Sequence, residues 1–168
     1  MNSSEPGPLL ESTARRLIGV LLFWSSLACV LVATLWPLRF SLAAAGLRRI
    51  DWALYYRDDL GRLIVDRDFV ANLVLMSPLG AGWALLRAGR SLPRIALEAA
   101  LLGFGLSAAV ETVQIFEPSR APQLADVWRN GVGCVAAALA VAWLVRRLAP
   151  RELPGEPGAA RLAPDQSR

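Results

Sequence analysis

Five polar side chains in the second half of the chain stand between two apolar segments. Glu111 and Gln114 lie near the end of one predicted helix, Arg120 follows in a turn bounded by prolines, and Asp126 and Asn130 begin the next helix. A charge at the centre of a bilayer costs roughly 2.5 to 3.5 kcal/mol, so ionisable residues inside a membrane are candidates for function. Carboxylates exchange protons and an arginine binds phosphate or carboxylate, which predicts acid–base or anion-binding chemistry here.

Spacing indicates that these side chains converge. Residues three or four apart share one face of a helix. Three pairs have this spacing in the chain: Asp68 with Asn72, Glu111 with Gln114, and Asp126 with Asn130. In a chain that crosses a membrane four times, all three pairs fall at the same end of the bundle. We therefore predict one polar site with Glu111 and Asp126 as its proton-exchanging groups. The predicted ligand contacts are Asn72, Gln114, Arg120 and Asn130.

Composition favours a small membrane protein. The chain has 168 residues, is 55% hydrophobic and carries a formal charge of +4 that comes from arginine alone, because it has no lysine and no histidine. Its arginines bracket apolar runs, which is typical of membrane topology signals, so we do not expect a nucleic-acid partner. Without histidine, and with Cys29 and Cys134 in separate apolar runs, neither a metal site, nor a disulfide framework, nor a cofactor is expected.

Four apolar runs are each long enough to cross a hydrocarbon core of about 30 Å. They predict an all-α membrane protein, a four-transmembrane-helix bundle, with helices at about 17–36, 69–86, 95–116 and 127–145. A cleaved signal peptide is the alternative for the first run, but that run is longer than the usual apolar core of such a peptide.

Features within these runs predict how the helices pack. Pro78 should bend the second helix, and small residues in the third and fourth helices, among them Gly103 and Gly133, should allow close contact. Glu98 lies one turn after Arg94 and is expected either to form an interfacial ion pair with it or to extend its carboxylate to the membrane interface.

The remaining segments lie outside the predicted transmembrane domain of residues 17–147. Residues 1–16 read as a cytoplasmic tail, and residues 148–168 as a disordered tail rich in Pro, Gly and charge. Residues 37–67 have apolar side chains at roughly helical spacing together with interfacial aromatic rings, which favours an amphipathic helix on the membrane surface. A solvated loop with one ordered turn is the alternative.

Orientation follows from the arginines in the short connections. Three groups of them share one face of the bundle, which the positive-inside rule makes cytoplasmic. The rule predicts both termini inside a bacterial inner membrane and the polar residues near its outer face. Six arginines in the 37–67 connection argue against this orientation.

Each polar residue also has a purely structural interpretation. Asp68 and Asp126 stand where carboxylates cap helices. The three amides, Asn72, Gln114 and Asn130, could join helices by hydrogen bonds, as amides often do in membrane bundles. Arg120 or Arg129 could pair with Glu111, in which case the cluster would be a structural network.

Two segments carry a resemblance to a known family. The run DFVANLVLMSPLGAGWALLR at 68–87 and the run SAAVETVQIFEPSRAPQLADVWRNGVGCVAAA at 107–138 resemble the VanZ-like family of small bacterial integral membrane proteins. The shared blocks are an Asn before Pro-Leu-Gly, Glu-x-x-Gln, an Arg in the turn, and Asp-x-x-x-Asn-x-x-Gly. Some members carry a Lys and a His before the second helix, which this chain lacks. The resemblance implies a link to glycopeptide antibiotic resistance in the cell envelope, without a defined mechanism.

Two classes of function follow. In the first, the polar site binds or acts on a lipid-linked cell-envelope substrate or an amphiphilic glycopeptide antibiotic. In the second, the protein is a non-enzymatic accessory that binds an amphiphile or a partner membrane protein, or forms a homo-oligomer, and its polar cluster is structural. A transporter is a third interpretation, which four helices leave little room for. No serine or cysteine with a visible base stands near the cluster, so covalent catalysis is not favoured.

Overall fold

The computed structural model describes residues 8–42 and 44–149, which fold into helices joined by one long connection and short turns. The α-helices are α1 (Pro8–Leu35), α2 (Arg67–Leu75), α3 (Ser77–Leu86), α4 (Leu92–Gln114) and α5 (Leu124–Leu148). A 3-10 helix (Ala44–Arg49) lies in the long connection, and the described residues form isolated bridges but no strand. The all-helical fold predicted from the sequence is confirmed.

Four segments of the described chain are long and apolar enough to cross a membrane, as predicted. They are Ser12–Leu35, Arg67–Leu86, Leu92–Gln114 and Leu124–Leu148. Large apolar side chains stand exposed along them, among them Trp24 at 62% and Leu101 at 69% of their full accessible surface. An apolar surface this extensive requires an apolar surrounding, which a bilayer supplies.

The second span is interrupted where the sequence places its proline. Met76 separates α2 from α3, and Pro78 lies in the first turn of α3, where its missing N–H leaves no helical hydrogen bond unmade. The hydroxyl of Ser77 donates to the carbonyl of Leu73 at 2.8 Å and so satisfies one backbone acceptor at the break. The span is therefore interrupted beside Pro78, where the sequence predicted a bend.

Helix α5 is the centre of the bundle and packs against α2, α3 and α4, whereas α1 packs mainly against α3. Two glycines make these contacts possible. A Cβ atom on Gly133 would lie 1.9 Å from the carbonyl oxygen of Leu73, and one on Gly80 would lie 2.0 Å from that of Cys134. Only a residue without a side chain fits where two backbones approach this closely.

The predicted boundaries shift at both ends of the transmembrane domain. Helix α1 begins at Pro8, so residues 8–16 are helical, whereas they were predicted to belong to a tail. At the other end α5 continues to Leu148, and the predicted disordered tail lies, from residue 150 onward, outside the described residues.

The connection between α1 and α2 is an ordered loop. The amphipathic helix favoured by the apolar spacing does not form as an α-helix, and only the six-residue 3-10 helix is present. Three features prevent a longer helix: Asp51 forms a bridge with Gln123, Arg57 forms a bridge with Leu63, and Gly61 has a positive φ of 76°. The alternative of a loop with one ordered turn describes this segment better.

Candidate functional site

A cavity of about 390 Å³ opens at the end of the bundle where α2 begins, α4 ends and α5 begins. Its wall comes from α1, α2, α4 and α5 together with the turn that joins α4 to α5. All six residues predicted for the site line this cavity: Asn72, Glu111, Gln114, Arg120, Asp126 and Asn130. The six side chains therefore lie around one space, as their helical spacing predicted.

Glu111 occupies the wall of the cavity near the end of α4. Its Oε2 accepts a hydrogen bond from the backbone N–H of Gln123 at 2.7 Å. Among the described residues it forms no salt bridge, so the alternative in which Arg120 or Arg129 pairs with Glu111 is not supported by direct contact. The turn brings the Gln123 backbone to the carboxylate instead, while the guanidinium of Arg120 donates to the carbonyl of Trp36 at 3.3 Å.

Asp126 links two helices across the cavity. Its Oδ1 accepts a hydrogen bond from Nδ2 of Asn72 at 2.5 Å and lies 3.6 Å from a guanidinium nitrogen of Arg129. The capping interpretation of Asp126 is wrong, because α5 starts two residues earlier with Gln123 at the cap position. Capping is equally wrong for Asp68, since Asp66 caps α2 by accepting from the N–H of Phe69.

The other two amides also join elements of the bundle. Gln114 is 7% exposed and donates to the carbonyl of Thr34 in α1 at 2.9 Å. Asn130 is 4% exposed and donates to the hydroxyl of Ser107 in α4 at 3.0 Å. Its Oδ1 is buried and accepts no hydrogen bond from any described residue. A buried acceptor without a donor is costly, so this oxygen of the cavity lining is a place where a ligand donor would be favourable.

Arg120 and Asp68 complete the charged lining. The backbone of Arg120 is fixed from outside the cavity, because the guanidinium of Arg49 donates to its carbonyl at 2.7 Å and to that of Pro118 at 2.5 Å. The 3-10 helix thereby holds the turn that carries Arg120. Asp68 lies in the first turn of α2 with an exposed side chain.

Glu117 is a structural carboxylate that the sequence did not reveal. It is 3% exposed and accepts hydrogen bonds from the hydroxyl of Ser119 at 2.8 Å, from the N–H of Ser119 at 3.2 Å and from the N–H of Arg39 at 3.0 Å. The bond from the Ser119 hydroxyl is the largest of the effects that hold the pKa of Glu117 below its usual range. Its position beside Pro118 gave only the signal of an acid in a turn.

The long loop is attached to the same end of the bundle through Asp51 and Tyr56. The backbone N–H of Asp51 donates to the carbonyl of Pro122 at 2.9 Å, and its Oδ2 accepts from the hydroxyl of Tyr56 at 2.5 Å. That hydrogen bond raises the pKa of Tyr56 to about 12 and lowers the pKa of Asp51. Both shifts favour a charged Asp51 and a neutral Tyr56 near neutral pH, the charge states in which this hydrogen bond forms.

Arg129 is a buried cation for which the sequence suggested only a pairing with Glu111. It is 3% exposed, and its guanidinium lies 5.0 Å from the ring centre of Phe69 and 5.7 Å from that of Tyr56. Stacking on aromatic rings and the nearby Asp126 compensate this burial. Arg129 thus connects α5 to both α2 and the loop.

Among residues 8–42 and 44–149, no group of three His, Cys, Asp or Glu side chains stands close enough to hold a metal ion. The described polar end offers carboxylates, amides and one arginine around a cavity. Such a lining can bind a small polar group by hydrogen bonds and charge, and can exchange protons through its carboxylates.

The fold and the cavity define a multi-pass membrane protein with a polar chamber at one end of its helical bundle. The family pattern described as VanZ/LLP1 matches residues 23–146, which include every residue named in the cavity wall. The chain belongs to the VanZ/LLP1 family. Comparisons with curated proteins and with solved structures gave no significant match.

Proposed function

We propose that the cavity binds the polar head group of an amphiphile that reaches it from the membrane. The observation that carries the proposal is that Glu111, Asp126 and Arg120 surround one space at one end of a membrane-spanning bundle. Charged groups are expensive at this depth, and a purely structural role does not require them to face a common cavity.

The size of the cavity favours a compact head group. Small-molecule sites commonly have volumes of about 300 to 1,000 Å³, and this cavity of about 390 Å³ lies near the lower limit. It suits a phosphate ester, an amino alcohol or a single sugar ring. The whole core of a glycopeptide antibiotic is larger than this, so a lipid-linked cell-envelope compound is the better candidate of the two predicted ligands.

The roles of the side chains follow from their positions. Arg120 would contact an anionic group of the ligand, and Glu111 and Asp126 would accept hydrogen bonds or protons from it. The arginines that flank the opposite end of the bundle would face the cytoplasm, which puts the cavity toward the outer face of a bacterial inner membrane.

A second candidate is a non-enzymatic accessory protein whose polar cluster only holds the bundle together. One observation favours it: each of the three amides donates to another element, Asn72 to Asp126, Gln114 to Thr34 and Asn130 to Ser107. Glu111 separates the candidates, because among residues 8–42 and 44–149 its side chain is hydrogen-bonded to the neighbouring turn and to no other element.

The test is lipid and cell-wall-precursor profiling of a deletion strain complemented with wild type, Glu111→Gln or Glu98→Gln. Glu98 is a glutamate of the same helix at the other end of the bundle and serves as the matched control. We expect wild type and Glu98→Gln to restore the profile and Glu111→Gln to fail at equal expression. Full restoration by Glu111→Gln would favour the structural role.

A further inference from the structure

The hydrogen-bonding character of the cavity is dominated by acceptors. Three carboxylates line it, those of Asp68, Glu111 and Asp126, against the single guanidinium of Arg120. The formal charge of these four groups is negative. A simple anion such as a free phosphate would therefore be repelled by most of the wall, whereas a head group that carries N–H donors would be attracted.

Asn130 supplies an independent observation of the same kind. Its Nδ2 is already used by Ser107, which leaves the buried Oδ1 without a donor. The residue is 4% exposed and lines the cavity. A ligand donor would satisfy this oxygen, and a ligand acceptor would leave it unpaired at a cost.

A second, apolar space adjoins the cavity through the wall made by Glu111 and Gln123. This groove has a volume of about 240 Å³, and Ala108, Thr112 and Val127 are the residues by which α4 and α5 line it. Glu111 and Gln123 line both spaces. The groove lies where the spans α4 and α5 meet Ile50 and Trp52 of the long loop, and most of its lining is apolar, so its natural occupant is a hydrocarbon chain.

We propose that the ligand is a phospholipid whose head group carries a primary ammonium and whose acyl chain lies in this groove. The ammonium is held by Glu111 and Asp126 with the oxygen of Asn130, and the lipid phosphate faces Arg120. This inference rests on the proposed function and specifies the ligand class. The lipid enters past the hydrogen bond between Glu111 and the backbone of Gln123, which is the wall that the two spaces share.

The test for the head group uses purified full-length protein in phosphatidylcholine nanodiscs, with retained lipid counted by native mass spectrometry. Phosphatidylethanolamine, its N-methyl and N,N-dimethyl derivatives and phosphatidylcholine form a series with successively fewer N–H donors. We expect retention to fall along this series, by at least about tenfold between its ends. Equal retention along the series, or stronger retention of phosphatidylglycerol, would overturn the assignment.

Two pairs of variants locate the lipid. Glu111→Gln should reduce the preference for phosphatidylethanolamine by about tenfold, whereas Glu98→Gln should leave it unchanged. Ala108→Trp fills the groove and should lower retention of the diacyl lipid, whereas Leu101→Trp, at an exposed position of the same helix outside the groove, should not. Unchanged retention in Ala108→Trp would exclude the groove as the chain site.

The outcomes also separate this inference from the proposed function. If no donor-dependent preference is found but Glu111→Gln still fails to complement the deletion, the ligand is a different amphiphile. If Glu111→Gln complements fully, both the proposed function and its ligand class are wrong.

Discussion

Glu98 and Glu111 are two glutamates of the same membrane helix with opposite surroundings. Glu98, near the start of α4, lies 3.3 Å from Nε of Arg87 and 3.5 Å from Nε of Arg94, and it accepts from the indole N–H of Trp83 at 3.2 Å. Glu111, near the end of α4, accepts a hydrogen bond from the backbone N–H of Gln123 and faces a cavity. Two arginines thus neutralise Glu98 at one end of the bundle, whereas Glu111 at the other end lines an open cavity.

The difference separates structural from functional candidates. The expected pairing of Glu98 with Arg94 is confirmed, and a second arginine and an indole complete the environment of that carboxylate. A carboxylate with two cations has little capacity left for a ligand. Glu111 keeps that capacity, which makes the cavity end the better place for binding.

The largest expected effect concerns which end faces outward. Ser119 in the cavity turn and Ser91 in the turn before α4 are both exposed and lie at opposite ends of the bundle. In a Cys29→Ala background, Ser119→Cys should react with a membrane-impermeant maleimide in intact cells, and Ser91→Cys should react only after lysis. Cys134 can remain because it is fully buried.

The labelling result is all or none, since the reagent reaches one face only. The Cys29→Ala protein without an added cysteine gives the background signal. Labelling of Ser91→Cys in intact cells, with Ser119→Cys protected, would reverse the proposed orientation and move the cavity to the cytoplasmic face.

The next effect is on stability. Glu98→Gln loses two ion pairs whose arginines are partly exposed, so it should cost roughly 1 to 2 kcal/mol. Glu111→Gln keeps an oxygen that can accept from the Gln123 N–H and should change stability by less than about 0.5 kcal/mol. The melting temperatures of the two purified variants in detergent, compared with wild type, measure this contrast. A larger loss in Glu111→Gln than in Glu98→Gln would mean that Glu111 is structural.

Local periodicity was enough to predict the spans and the convergence of the polar pairs. The length of apolar runs determines which segments cross the membrane, and i,i+4 spacing determines which side chains share a face. Pro78 also marked the break between α2 and α3, because a proline lacks the N–H that a continuous helix needs.

Contacts between distant parts of the chain could not be predicted from local spacing or from the length of apolar runs. Arg49 holds the carbonyl of Arg120, and Glu117 accepts from the N–H of Arg39, through pairings that depend on the path of the long loop. The structural interpretation gave the N-cap of α2 to Asp68, whereas Asp66, two residues earlier, is the cap. Partner choice for Arg129 likewise required the packing of α2 against α5.

The smallest expected effect concerns the hydrogen bond between Asn72 and Asp126 at the cavity end of the bundle. A double-mutant cycle with Asn72→Ala and Asp126→Ala isolates the hydrogen bond between these side chains. Hydrogen bonds between membrane helices contribute about 0.6 kcal/mol on average and at most about 1.7 kcal/mol, so we expect a coupling near the lower figure. The free energy of unfolding of the four proteins gives the value.

The opposite end supplies the reference cycle, Trp83→Phe with Glu98→Gln, which removes the bond from the indole to the carboxylate. The coupling there should be the larger one, because two neighbouring arginines fix the position of Glu98.

A weak Asn72–Asp126 coupling means that a ligand donor can compete for Asp126 at little cost. A coupling above that of the reference pair would show that the cavity end is the more rigid one, and the accessory interpretation, with a structural polar network, would then be the better account of the cluster.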